Sequence, residues 1–193
     1  YIEAARQLAF EEGKRNVCFV ALTYVITPRI LVEQKSKAAQ MGIRRLMELG
    51  IQPDIIACRA DTEVTEKIRQ KIAIYSNVPV SRVVSMHDLE SIYLIPEYLR
   101  TQRLDSEVID ILGIGDKINV SQDERNRKAW NTYTHKIVNP QHQCVVGITG
   151  KYTTVRDSYA SLIKALEHAG THYSTRVTIQ WIETTELTKS NVE

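Results

Sequence analysis

Two hydrophobic periods alternate along the first 113 residues. Ile2, Ala5, Leu8 and Ala9 fall at helical spacing over residues 1–12, and Gly13 is placed to stop that helix. Residues 16–25 then read as a buried strand. Met41, Ile43, Leu46, Met47 and Leu49 restore the helical period, with Gly50 as its C-terminal cap. Pro53 and Asp54 open a short strand over 55–58, Ile68, Ile72 and Tyr75 mark a helix over 65–75, and residues 83–86 form a third strand. This alternation predicts an α/β fold with a doubly wound, mostly parallel sheet and right-handed crossovers. Its loops 33–39, 59–65 and 87–91 all leave the sheet at one edge, where they can share a ligand.

The pattern changes at residue 114. Residues 114–143 are polar, rich in Asn, Gln, Lys and Arg, and hold no sustained period, so they read as an interdomain connection with Trp130 as an anchor. A buried strand resumes over 144–149, followed by Gly150-Lys151-Tyr152, a helix over 157–169 and a strand over 175–182. The expected organisation is thus 1–113, 114–143 and 144–193. Two strands and one helix are too few to enclose a core, and the chain starts in a helix without an initiator Met, so the reading expects an internal piece of a longer protein.

Composition narrows the class without choosing a function. Hydrophobic residues make up 43% of the 193, enough for a core, and 25 basic against 23 acidic residues give a net charge of +2. No overall field points to nucleic acid or to an acidic membrane. No apolar run approaches the roughly 18 to 20 residues of a membrane span, and the start lacks a signal-peptide pattern. The expectation is a soluble, cytoplasmic protein. Cys18, Cys58 and Cys144 read as buried free thiols, and the His168/His172 spacing is discounted as a metal pair because Gly170 sits at an expected helix end.

Candidate chemistry gathers at the first of the three loops. Lys35 and Lys37 flank Ser36 just before an amphipathic helix whose first turn offers free N–H groups and a positive dipole end, which together suit a triphosphate and favour a nucleotide. Solvated surface lysines are the plainer alternative. Lys71, on a helix whose apolar face includes Ile68, Ile72 and Tyr75, has the same alternative, and Arg59 can instead pair with Asp61. His87 also reads as an ordinary turn residue and Leu89 as ordinary core.

Longer stretches carry a resemblance. Residues 50–56 (Gly-Ile-Gln-Pro-Asp-Ile-Ile), 58–61 (Cys-Arg-Ala-Asp), 71–73 (Lys-Ile-Ala) and 88–93 (Asp-Leu-Glu-Ser-Ile-Tyr) resemble CTP synthase, in the same order and at closely similar spacing. Gly150-Lys151-Tyr152, Asp157-Ser158-Tyr159 and residues 165–170 look like the start of that family's glutaminase domain. The resemblance fails mainly over 114–143. It implies the C-terminal part of a phosphate-loop NTPase-like synthetase (amidoligase) domain, then a linker, then the opening of a class I glutamine amidotransferase domain.

The family's chemistry follows as an implication. Its members use ATP to phosphorylate the C4 oxygen of UTP, and ammonia released from glutamine displaces that phosphate. Lys35, Ser36, Lys37, Ala38, Ala39 and Gln40 resemble the family's Lys-Thr-Lys-Pro-Thr-Gln loop, which holds UTP or the inhibitor CTP across a subunit interface, and Lys71 resembles the lysine completing that site. Arg59, His87, Asp88 and Leu89 would flank the adenine of ATP. The resemblance also implies Mg2+ with ATP, GTP as an activator, a homotetramer and filament formation.

Departures from the family pattern bear on these roles. Ala38 and Ala39 replace Pro-Thr, removing a φ restraint and a hydroxyl, Ala160 stands where many members carry lysine, and Tyr75 keeps an aromatic at the inhibitor pocket. No Gly-x-x-x-x-Gly-Lys loop occurs, and the magnesium ligands and glutaminase triad are expected outside these residues, so the piece alone is expected to be inactive. Two other readings stay open: a different glutamine-coupled amidoligase, and a non-catalytic assembly subunit.

Overall fold

The computed structural model describes residues 1–28 and 33–185. Residues 29–32, just ahead of the lysine loop, and 186–193, the end of the expected last domain, lie outside the described residues. The chain forms two units, Tyr1–Val120 and Ser121–Glu193.

The first unit runs α1 (Ile2–Glu12), β1 (Val20–Tyr24), α2 (Lys37–Glu48), β2 (Ile55–Ala60), α3 (Glu66–Ser76), β3 (Val83–His87), α4 (Ile95–Thr101) and α5 (Leu104–Leu112). Its strands pair in parallel in the order β1-β2-β3, with Leu22 opposite Ala57 and Ala57 opposite Val84. β2 is central and almost wholly buried, as its unbroken apolar run requires. Ile56, Cys58 and Ala60 meet Ile43 of α2 and Ile68 and Ile72 of α3 on one face. Ile55, Ala57 and Val84 meet Leu104, Val108 and Ile111 of α5 on the other. Helices therefore cover both faces of a parallel sheet, as expected, and the order of the described strands contains no reversal.

α4 and α5 escape the hydrophobic period because each is short and Arg103, in a left-handed conformation (φ 62°), breaks the run between them. Their anchor is Gln102. Its side-chain amide accepts from the Ser85 N–H at 2.7 Å and donates to the Ser85 carbonyl at 2.9 Å, taking the place of a neighbouring strand on the outer edge of β3. β1 is shorter than the run over 16–25 because Lys14–Asn16 form a single 3-10 turn.

The second unit contains most of α6 (Val120–Val138), then β4 (His142–Gly150), α7 (Ala160–His172) and β5 (Thr175–Glu183). The stretch 114–143, which shows no sustained hydrophobic period, is largely helical, since α6 fills 19 of its residues. Thr134 is the single buried residue of α6, so the helix lacks the apolar stripe that periodicity detects. Polar pairs such as Gln122 with Asn126 (2.8 Å) support it instead. Trp130 packs its ring 5.9 Å from that of Tyr133 and is 37% exposed.

β4 and β5 pair in parallel with α7 between them in sequence. Gly170 does not end this helix but lies inside it, where a Cβ would stand 2.6 Å from the Thr175 carbonyl oxygen. Close helix-to-strand approach, rather than a cap, is what demands glycine there. No helix among the described residues is long and apolar enough to cross a membrane.

Candidate functional site

The lysine loop is held at both ends by backbone. Lys35 N–H donates to the Ile26 carbonyl at 2.8 Å, and Gln40 N–H donates to the Ser36 carbonyl at 2.9 Å, so the helix already begins at Lys37. Lys37, Ala38, Ala39 and Gln40 thus form the first turn of α2, and Ser36 is its N-cap residue. Gln40 Nε2 donates to Ser36 Oγ at 2.9 Å. No side chain caps this helix, which leaves its first N–H groups and its dipole end for an anion. Ala39 is completely buried against the sheet, so its side chain serves packing and its backbone alone belongs to the open end of the helix.

Gln34, unnoticed in the sequence, fixes the position of this loop. It is buried, its Nε2 donates to the Glu63 carbonyl at 2.8 Å, and its Oε1 accepts from the Thr65 N–H at 2.9 Å. Thr65 is the N-cap residue of α3, so one amide ties the lysine loop to the helix that carries Lys71. The result is visible at Glu33. Its carboxyl is held below the ordinary range mainly by the hydrogen bond and charge of Lys35, with further help from Lys67 and Lys71. Lys35 of the loop pairs with Glu33, and the Gln34 amide brings that loop to the start of α3.

Arg59, His87, Asp88 and Leu89 also come together, lining a cleft of about 230 Å³. Arg59 donates to the carbonyls of Ala60 and Met86, each at 3.0 Å, and pairs with Asp88 rather than with Asp61. Asp61 accepts instead from the Tyr24 hydroxyl, which raises the phenol's pKa. His87 lies edge-on to Tyr98 at 4.8 Å, and its Nδ1 is 3.3 Å from Ser85 Oγ. Ile92, Ile95 and Tyr98 add apolar surface to the lining of the same cleft. A flat, neutral ring bearing polar edges suits such a cleft.

The two clusters share one sheet edge and one hydrogen-bond chain. Gln34 holds residues 63 and 65, Val64 N–H donates to Ser85 Oγ at 3.0 Å, and Ser85 contacts His87. Among the described residues no group of three His, Cys, Asp or Glu could hold a metal ion. In the second unit, Glu183 accepts from the Thr153 N–H (3.1 Å) and hydroxyl (2.9 Å), and the hydroxyls and amides of Thr185 and Thr153 lower its pKa to about 2.

Comparison with known proteins places these features. The family model described as CTP synthase N-terminus matches residues 1–114. A CTP synthase from Caldanaerobacter subterraneus subsp. tengcongensis is 36% identical over 193 residues, which is 100% of this chain and 35% of that relative. The chain thus spans about a third of the relative it matches. With this family match over more than half its length, the chain belongs to the CTP synthase family.

Proposed function

We propose that this chain supplies nucleotide contacts to a CTP synthase, a ligase that aminates UTP to CTP with ATP and glutamine-derived ammonia in pyrimidine nucleotide biosynthesis. One observation carries the reading: the Gln34 amide ties the lysine loop, beside the uncapped first turn of α2, to the start of α3, the helix that carries Lys71. Three phosphates of UTP, or of the product CTP, match that concentration of ammonium and N–H groups. Lys35, Ser36, Lys37 and Gln40, the backbone of Ala38 and Ala39, and Lys71 hold the pyrimidine nucleotide. Arg59, His87, Asp88 and Leu89 hold the adenine of ATP, with the Arg59 guanidinium fixed by two carbonyls and Asp88.

The remaining assignments extend the same reading. Residues 1–113 are the C-terminal part of a synthetase domain, 114–143 the connection, and 144–193 the opening of a glutaminase domain. The described residues offer no cluster of three His, Cys, Asp or Glu to hold the Mg2+ that accompanies ATP. The working enzyme is a homotetramer. The experiment is titration of UTP into the natural full-length protein. Lys37→Ala and Lys71→Ala each raise the Kd about 10- to 150-fold, the worth of a charge-assisted contact. Unchanged UTP binding by both folded variants would remove the assignment.

A further inference from the structure

We propose that Tyr98 is a positioning residue of the ATP cleft, holding the His87 ring in an orientation that leaves its Nε2 for the base; this rests on the ATP reading above. His87 ends β3 and lines the cleft together with Tyr98 of α4. Its ring is restrained on two sides. Nδ1 lies 3.3 Å from Ser85 Oγ, and the ring stands at 83° to that of Tyr98, with the centroids 4.8 Å apart. With Nδ1 taken, Nε2 is the ring nitrogen without a protein partner among the described residues, so it is the polar atom that His87 can offer to an adenine edge.

Both restraints are themselves anchored. Ser85 is buried, Gln102 holds its backbone N–H and carbonyl, and its Oγ accepts from the Val64 N–H at 3.0 Å. The Tyr98 hydroxyl donates to Glu63 Oε1 at 3.2 Å, so the phenol loses that bond if it swings away from His87. Glu63 lies in the loop after β2, and Gln34 holds its carbonyl. Tyr98 thus links that loop to the end of β3, and through His87 it acts on the base without having to touch it. A base that bonds a ring already oriented forfeits less of its binding energy than one that must first order it.

The test titrates a non-hydrolysable ATP analogue, and UTP separately, into the natural full-length protein. Tyr98→Leu keeps an apolar side chain but loses the ring and the hydroxyl. It weakens the analogue about 3- to 10-fold, the worth of an edge-to-face pair, and leaves UTP within about 2-fold. Tyr98→Phe keeps the ring and restores most of the affinity. His87→Ala weakens the analogue at least as much as Tyr98→Leu, and adding Tyr98→Leu to it costs nothing further, because Tyr98 acts through His87. Additive losses in that cycle overturn the positioning role. So do equal losses of the analogue and of UTP in Tyr98→Leu, which mark a general effect on the fold. Unchanged analogue binding in Tyr98→Leu, alongside weakened binding in Arg59→Ala and Leu89→Asp, overturns this inference and leaves the ATP reading standing. Unchanged analogue binding in all of these variants overturns the ATP reading itself.

Discussion

Gln34 holds Thr65: its Oε1 accepts the Thr65 backbone N–H at 2.9 Å while its Nε2 donates to Glu63 two residues earlier. A single buried amide thereby locks the loop that follows β1 to the start of α3. Replacing Gln34 with Ala orphans a part-buried donor at Thr65 and acceptor at Glu63, and the expected loss of stability is about 1 kcal/mol. Denaturant unfolding measures it, and amide exchange at Thr65 should accelerate first. Wild-type stability with unchanged exchange would show that the clamp is dispensable.

Leu89 is the residue by which experiment can distinguish the proposed ATP cluster from the proposed UTP cluster. It lines the cleft beside Asp88, so Leu89→Asp adds a second carboxylate next to the adenine position with no cation left to pair, since Asp88 already holds Arg59. In the full-length protein ATP affinity should fall by several kcal/mol, on the order of the cost of an unpaired buried charge. UTP affinity should change much less. Equal losses for both nucleotides in a folded variant would contradict the separate assignment.

The three thiols differ in reactivity. Burial pushes the Cys58 thiol up to about 12, while Cys144 is exposed at the surface of β4. Desolvation also raises Cys18. Iodoacetamide at pH 8 should label Cys144 first and leave Cys58 untouched until the sheet unfolds, because the thiolate is the reactive species. Mass spectrometry of a time course checks the order; early modification of Cys58 would refute it.

Glu183 makes the loop after β4 sensitive to strong acid. Its folded pKa is lowered from 4.5 to about 2 by donors from Thr185 and Thr153. A depressed carboxylate stabilises the fold fully above its unfolded value and loses that contribution as pH falls toward the folded one. The loop should therefore hold at pH 4 and loosen progressively as the pH approaches 2. The Thr153 amide resonance, followed by NMR, should titrate in that window, and the titration should vanish in Glu183→Gln. A midpoint near 4.5 would show that the hydrogen bonds are absent in solution.

Gly170→Ala opposes two effects. Alanine favours a helix interior by roughly 1 kcal/mol over glycine. The new Cβ, however, would lie 2.6 Å from the Thr175 carbonyl oxygen and 2.8 Å from Val177 Cγ2, so α7 must move off β5. Overpacking wins, with a net loss of about 1–2 kcal/mol expected from costs of this kind. A raised melting temperature would show that the helix yields without penalty.

These residues also mark what the sequence could disclose. β2 was legible because a strand buried on both faces must be apolar throughout, and α2 because its stripe faces the sheet. Lys35, Lys37 and Lys71 were legible as charges, and their proposed sharing of one ligand only through resemblance. Gln34 was not legible: nothing local distinguishes a buried glutamine from a solvated one when its partners lie about 30 residues away. α6 was missed because a helix with one buried residue has no apolar face to detect, and Gly170 was misread because a tight helix-to-strand contact is a tertiary fact.

The Gln102 amide gives the sheet a direction of growth. With both backbone groups of Ser85 already taken by that side chain, β3 offers no free ladder at its middle for another strand. β1 is the opposite edge of the described sheet, and Val20, Leu22 and Tyr24 stand exposed along it. Strand addition, whether by legitimate extension of the sheet or by unwanted aggregation, is therefore channelled to β1. Placing a lysine at Leu22 would guard that edge, whereas breaking the Gln102 contacts would open a second front at β3.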